Sequence, residues 1–182
     1  MLSKKFKCYV VCLVLYLTST FGNTWMLFPY LPVLIFNRKL FHTLSDFSLR
    51  IWFGLAVFFL EKFCGIRICL HEAKNGKEKN FTESSIVLMN HRTRLDWLFY
   101  FCVLYRYNAL TKIKIILKDV LKKVPGPGWA MQTALFIFIK RQWQTDREIL
   151  TKFIEYFKFI EKKTMVCWLV FYIRWLLVGI NL

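Results

Sequence analysis

The residues best suited to chemistry stand together in one segment, Asn90-His91-Arg92-Thr93-Arg94-Leu95-Asp96. The segment directly follows residues 86–89, a short apolar run typical of a buried strand. Polar groups at the carboxyl end of such a strand are where α/β folds place their sites. If His91 lies in the turn and Asp96 in the first helical turn, the carboxylate can hold one imidazole nitrogen while the other accepts a proton from a hydroxyl. The segment therefore predicts a general-base dyad with no protein nucleophile.

A purely structural explanation of the same residues stays open. Within one continuous helix, the offset between His91 and Asp96 would put their side chains on different faces. Thr93 to Asp96 also fits a capping-box-like pattern, in which Asp96 is only a helix-start residue. The spacing alone does not decide between these two roles.

The elements that must position this segment follow an α/β pattern. Four apolar runs predict strands, at residues 86–89, 112–117, 134–139 and 165–171. Two segments between them predict helices, at residues 95–105 and 146–163. The second helix has the helical apolar period, and Thr145 or Asp146 is expected to cap its start. Strands that alternate with helices predict an α/β domain with a largely parallel sheet.

The N-terminal part of the chain has the character of a membrane segment. Lys4, Lys5 and Lys7 precede an uncharged stretch, residues 8–36, which exceeds the roughly 20 apolar residues that cross a bilayer. We interpret this stretch as an uncleaved anchor whose far end is broken or kinked by Pro29 and Pro32. A second run, residues 51–60, is too short to span by itself and is either a re-entrant or interfacial helix or part of a true span.

Composition supports a protein that sits in or on a membrane and faces anionic groups. The net charge is +16, yet 57% of residues are hydrophobic and 19% are aromatic. This combination excludes a disordered or low-complexity chain and disfavours a soluble globule. The uncharged N-terminal stretch argues against a nucleic-acid binder, which the charge alone would suggest. Six cysteines without a CxxC pair and only three histidines argue against a zinc site, and no GxSxG motif supports a serine hydrolase.

Three segments together resemble the glycerolipid acyltransferase family of the 1-acylglycerol-3-phosphate acyltransferase type. They occur in the expected order and read LMNHRTRLDWLF, KVPGPGWAMQ and LFIFIKRQW. The first contains the family's NHx4D motif. The last two are most similar to the lysocardiolipin acyltransferase branch. The resemblance runs from about residue 25 to residue 171 and implies a membrane enzyme that uses acyl-CoA as co-substrate, with no metal or bound prosthetic group.

By this resemblance, His91 deprotonates the free glycerol hydroxyl of a lysophospholipid and Asp96 orients His91. Arg141 binds the substrate phosphate, and Lys140 is a weaker candidate for the same role. A guanidinium at a strand end also suits bidentate phosphate binding on chemical grounds, although a solvated strand-end cation is an equal alternative. The implied partners are a lysophospholipid, acyl-CoA and membrane lipids, without nucleic acid, in the endoplasmic reticulum membrane.

The sequence departs from the family after residue 171. The family's third motif, Pro-Glu-Gly-Thr after a strand, has no counterpart in this sequence. We therefore expect membrane-anchoring segments at residues 1–65, a partial acyltransferase domain at 66–171 and a divergent apolar tail at 172–182. The alternative to an active enzyme is a catalytically inactive, truncated membrane protein of the same fold that binds lipid or a partner.

Overall fold

The helices and strands alternate as the sequence predicts. The computed structural model describes residues 4–22, 25, 28–71, 83–89, 93, 95–162 and 164–169. The α-helices are α1 (Lys4–Gly22), α2 (Leu31–Phe36), α3 (Arg38–Phe58), α4 (Asp96–Arg106), α5 (Pro127–Thr133) and α6 (Trp143–Phe159). The strands are β1 (Ser85–Met89), β2 (Ile113–Lys118), β3 (Ile137–Ile139) and β4 (Met165–Leu169). A π-helical turn, Phe59–Phe63, extends α3, and 3-10 turns occupy Phe28–Tyr30, Leu110–Lys112 and Asp119–Lys123.

The four strands form one parallel sheet in the order β1-β4-β2-β3. In the register, Val87 pairs with Cys167, which in turn pairs with Ile115 on β2. The predicted α/β class, the parallel sheet and the two principal helices are thereby confirmed. The residues that would form the tail at 172–182 lie outside the described part of the chain, and the proposed domain boundaries stay a prediction.

Each face of the sheet is covered by different helices because strand side chains alternate. On one face, Ile113 and Ile115 join a core that includes Phe53 of α3 and Phe101 of α4. The rings of Phe53 and Phe101 lie 4.6 Å apart between centroids. On the other face, Ile116 packs beneath α6. The sheet is therefore sandwiched between α3 and α4 on one side and α6 on the other.

Helix α3 is joined to the α/β domain by polar contacts at its start as well as by its apolar half. Nε2 of His42, which is 5% exposed, lies 2.7 Å from the hydroxyl of Tyr156 on α6. Asp46 forms an ion pair with Lys162, which precedes β4. Buried polar groups need such partners, so the first turns of α3 are fixed against the domain.

The distribution of membrane-like helices differs from the expected one. The described residues divide the stretch at 8–36 into α1, a 3-10 turn and α2. By length and composition, the helix able to cross a membrane is the later one, Arg38–Phe63, which contains the run at 51–60. That run lies within the second half of a 26-residue helix. This helix also packs on the sheet domain. The core helix of a soluble protein can be equally long and apolar, so length and composition alone do not establish a membrane span. The uncleaved anchor therefore stays a prediction.

The start of β3 and both ends of α6 were predicted wrongly, since α6 ends at Phe159 and not at residue 163. The third strand begins at Ile137, not at residue 134, because α5 ends in a Schellman-type turn with Leu135 at φ 58° and a hydrogen bond from Phe136 N to Met131 O. Helix α6 begins at Trp143 after Gln142, with no side-chain cap at that position. Neither Thr145 nor Asp146 caps this helix, since both lie within it.

Candidate active site

The candidate site lies at the edge of the sheet where all four parallel strands have their carboxyl ends. The chain leaves β1 at Met89 and enters α4 at Asp96, and it leaves β3 at Ile139 and continues to Lys140 and Arg141. His91 lies outside the described residues. The structure therefore positions Asp96, Lys140 and Arg141, whereas the pairing of His91 with Asp96 stays a prediction.

The carboxylate of Asp96 is held by the turn that precedes α4. Its Oδ2 accepts a hydrogen bond from Thr93 N at 2.8 Å, and its Oδ1 accepts one from the Thr93 hydroxyl at 2.8 Å. Thr93 Oγ1 accepts in turn from Leu95 N at 3.3 Å. The expected helix-start role of Asp96 is thus confirmed. A carboxylate has about four lone-pair positions, so this role leaves acceptor capacity for an imidazole N–H.

A buried carboxylate fixes the loop that carries the two predicted phosphate-binding residues. Asp146, which is 7% exposed, accepts a hydrogen bond from Lys140 N at 2.8 Å. The next residue, Arg141, adopts φ 66°, a conformation that costs a residue with a side chain about 1–2 kcal/mol. The Asp146 contact stabilises this turn, and both basic side chains remain exposed. Asp146 was predicted only as a possible helix cap, and its contact with Lys140 N was missed.

The two halves of the site are separated across the sheet edge. Strands β4 and β2 lie between β1 and β3. Three strand spacings of about 4.8 Å give a backbone separation of roughly 14 Å. The backbone at Asp96 and that at Arg141 therefore lie at opposite sides of this edge.

An apolar cavity of about 330 Å³ reaches the same edge at Trp97 and Leu117. Trp97, the neighbour of Asp96 in the chain, lines it together with Leu117 at the end of β2. Helices α3 and α5 complete its wall through Phe53 and Met131. We call it the inner cavity. Its lining is suited to a hydrocarbon chain, because burial of each methylene contributes about 0.8 kcal/mol.

A second apolar cavity, of about 360 Å³, lies between α1 and α3. We call it the outer cavity. It is lined by Leu49 and Leu55 of α3 and extends to Trp25, which is 78% exposed. Ser19, Trp52 and Ala130 line both cavities and so form the wall between them. The inner cavity thus lies on the side of this wall toward the site edge, and the outer cavity lies on the side toward the exposed surface of α1.

The loop before α5 fits closely against α1. Gly126 adopts φ 78° and ψ −83°, which residues with a side chain rarely adopt. A Cβ added at Gly126 would clash with Oγ1 of Thr20 on α1 and would lie 2.8 Å and 2.9 Å from its Cβ and Cα. The glycine thus permits the contact between α1 and the loop that carries Pro127 into the inner cavity.

The basic stretch between residues 112 and 123 does not form a single surface. Lys118, the last residue of β2, is exposed, and so are Lys122 and Lys123 beyond it, as a basic surface requires. Lys114 is 1% exposed, and its Nζ donates to the carbonyls of Thr111 and Ala134, each at 2.9 Å. Burial, and then the nearby charge of Lys162, lowers the pKa of Lys114 from 10.5 to about 7. Lys114 is therefore not part of a solvated or headgroup-facing surface.

Metal ligands do not accumulate in the part of the chain that the structure describes. Within those residues, no group of three His, Cys, Asp or Glu side chains is arranged to hold an ion. The groups assembled at the site edge are instead a carboxylate, exposed cations and an apolar cavity. This set suits proton transfer and the binding of an amphipathic anion.

The fold and the site edge define a class of parallel α/β protein with a polar turn after its first strand. A family model described as acyltransferase matches residues 67–170. The chain belongs to the acyltransferase family.

Curated relatives agree with this assignment. Lysocardiolipin acyltransferase 1 of Danio rerio is 42% identical over 149 residues, which cover 81% of this chain and 37% of the relative. The protein of the same name from Mus musculus is 41% identical over 80% of this chain and 38% of its own length. Lysophosphatidylinositol acyltransferase 10 of Caenorhabditis elegans is 38% identical over 82% of this chain and 38% of its own length. The chain thus spans less than two fifths of these relatives. No solved structure gives a significant match.

Proposed function

We propose that this chain carries the acyl-transfer site of a membrane enzyme. The reaction moves an acyl chain from acyl-CoA to the free glycerol hydroxyl of a lysophospholipid, of the lysophosphatidic acid or lysocardiolipin class. The observation that carries the proposal is the adjacency of Asp96 and Trp97. Asp96 belongs to the polar turn of the NHx4D segment, and Trp97 lines the apolar inner cavity. A reactive polar edge beside a hydrocarbon-sized cavity is what acyl transfer requires.

In the proposed mechanism, His91 is the general base and Asp96 orients it. The imidazole takes the proton of the glycerol hydroxyl as its oxygen attacks the thioester carbonyl. The C–O bond forms, the C–S bond breaks, and the CoA thiolate leaves and receives the proton from the imidazolium. Asp96 stabilises the charged imidazolium between these two proton transfers. The carboxylate itself stays ionised.

Arg141 is proposed to bind the phosphate of the lysophospholipid, with Lys140 in a supporting role. The fixed turn at Lys140 and the exposure of both side chains support this role. The rough 14 Å between the ends of β1 and β3 requires the Arg141 side chain to reach toward the middle of the edge. Lys118, Lys122 and Lys123 add positive charge there, at about 1 kcal/mol per residue for anionic groups near the surface.

The proposed location is a membrane, and specifically the endoplasmic reticulum. Large apolar side chains are exposed on α1, α2 and α3, among them Tyr9, Ile35 and Phe47. Exposed apolar area of this extent marks a membrane or partner surface. Fractionation of cells that express the tagged chain tests the proposal, because recovery in the soluble fraction would contradict it.

Acyl transfer by the full chain tests the function. Membranes that contain the chain are supplied with labelled acyl-CoA and either lysophosphatidic acid or lysocardiolipin. We expect His91→Ala to lower transfer at least about 100-fold, the usual contribution of a general base. His71→Ala is the matched control, because His71 is exposed and remote in sequence from the segment, and it should leave transfer unchanged.

The outcomes separate the reaction from the dyad. Unchanged transfer by His91→Ala would contradict the dyad while leaving the reaction in place. Absence of transfer by the parent chain, despite correct membrane insertion, would contradict the enzymatic proposal. The inactive lipid-binding or partner-binding protein would then replace it.

A further inference from the structure

We propose that the side chain of Trp52 limits the length of the acyl chain that the site accepts. This inference rests on the proposed acyl-transfer function and adds a specificity-determining residue to it. The acyl chain would enter the inner cavity beside Trp97, and its methyl end would stop at Trp52. The outer cavity beyond Trp52 would stay outside the acyl site.

The position of Trp52 between two cavities is the first argument. Trp52 lines both the inner cavity, of about 330 Å³, and the outer cavity, of about 360 Å³. The other two residues common to both walls are Ser19 and Ala130, which are small. The indole is therefore the bulky element of the wall, and its removal would join the two cavities into one.

The orientation of the indole is the second argument. A side chain that separates two cavities, which we call a partition, must be held in one orientation. Trp52 Nε1 donates a hydrogen bond to Oγ1 of Thr18 on α1 at 3.1 Å. The Thr18 hydroxyl donates its own proton to the carbonyl of Val14 at 2.7 Å. The hydroxyl proton is thus engaged, and its oxygen is left as an acceptor for the indole N–H. This relay fixes Trp52 to α1 across the outer cavity.

The chemistry of the neighbouring walls is the third argument. Both cavities are lined mostly by apolar side chains, so an acyl chain that passed Trp52 would gain apolar contacts. Each additional buried methylene should tighten binding about fourfold. In the parent, this gain is expected to stop at the length that reaches Trp52. Without the indole, it should continue for further methylenes.

The test uses non-transferable thioether analogues of acyl-CoA with acyl chains of about 12 to about 20 carbons. Over this range, the gain in affinity from each buried methylene adds up to a measurable difference. Binding to the full chain in nanodiscs is measured for each length by titration. For the parent chain, we expect the affinity to increase with acyl-chain length up to the length that reaches Trp52, and to stay level or fall for longer analogues. In Trp52→Ala, the affinity should continue to rise, about 15-fold for each two further methylenes.

Two further variants keep the test sharp. Thr18→Val removes the acceptor of the indole N–H at nearly constant volume and should weaken the length limit without abolishing binding. Leu55→Ala enlarges only the outer cavity and should leave the length limit where it is. If Trp52→Ala does not fold, Thr18→Val still tests the partition.

The result distinguishes this inference from the proposed function. The same limit in the parent, Thr18→Val and any folded Trp52→Ala would overturn the role of Trp52. A failure of the analogues to bind at all would overturn it as well. A Trp52-dependent limit in a chain that transfers no acyl group would support the partition and contradict only the enzymatic proposal.

Discussion

Burial of Lys114 makes the stability of this domain depend on pH in a defined direction. Its ammonium is enclosed at the start of β2 and donates to the carbonyls of Thr111 and Ala134. Lys162 lowers its pKa further, and Asp46 opposes this effect. The pKa is about 7 in the folded protein and 10.5 for an ordinary lysine. The folded chain therefore releases its proton at lower pH than the unfolded chain.

The sign and the magnitude of the pH dependence follow from the difference between the pKa values of Lys114 in the folded and unfolded chain. Below about pH 7, Lys114 is protonated in both states and contributes no pH dependence. Between about pH 7 and 10.5, the unfolded chain binds more protons, so the free energy of unfolding rises with pH. From about pH 7 to about pH 9, the two pKa values give an increase of about 2 kcal/mol.

Denaturant unfolding of the parent and Lys114→Met, in detergent micelles and followed by tryptophan fluorescence, measures this effect. The variant retains the titratable groups around Lys114, namely His42, Asp46 and Lys162, so both proteins carry these groups through the same pH range. We expect the parent to gain about 2 kcal/mol over Lys114→Met between about pH 7 and pH 9. Parallel pH profiles for the two proteins would refute the assignment of a depressed pKa to Lys114.

Three other predictions test the site and its supports. Gly126→Ala should lower the free energy of unfolding by about 2 kcal/mol or more, and Thr20→Ala should relieve only part of this loss in thermal denaturation, because the Thr20 Cα and Cβ stay within 3 Å. Thr93→Val should cost about 1 kcal/mol of stability and retain acyl transfer, because Thr93 only holds the turn. Asp96→Asn should lower kcat about 100-fold, because Asp96 is proposed to orient His91. Equal losses of kcat in the two variants would contradict these separate roles. Arg141→Ala should raise KM for the lysophospholipid about tenfold with little effect on KM for acyl-CoA, and Arg141→Lys should recover part of it; an unchanged KM would remove Arg141 from the phosphate site.

The sequence predicts the position of the strands well because they are short apolar runs. The prediction that the run at 86–89 is buried was wrong, since Ile86 and Leu88 of β1 are 72% and 61% exposed. β2 and β4 begin within one residue of their predicted positions, and β1 includes the run at 86–89. The error at β3 arose because Leu135 continues the apolar run but adopts a positive φ that terminates α5. Side-chain identity alone does not reveal such a turn.

The site was predicted less completely, for reasons of distance along the chain. Asp96 was found because its motif is local and its turn partner, Thr93, is three residues away. The burial of Lys114 depends on the carbonyl of Ala134, twenty residues further on, and no local pattern signals that contact. The partition at Trp52 depends on Thr18 of another helix. Long-range contacts of this kind require the fold before they can be recognised.

The close fit of α1 against the loop at Gly126 means that α1 is not an interchangeable anchor. A generic hydrophobic helix grafted in its place would hold the protein at a bilayer but would not supply Thr20 against Gly126 or Thr18 to Trp52. Chimeras are therefore expected to keep their membrane attachment and lose the shape of both cavities. Among homologous sequences, a bulkier residue at the position of Gly126 should be accompanied by a smaller one at that of Thr20. Helix α1 thus forms part of the walls of both cavities, one of which is the proposed acyl site.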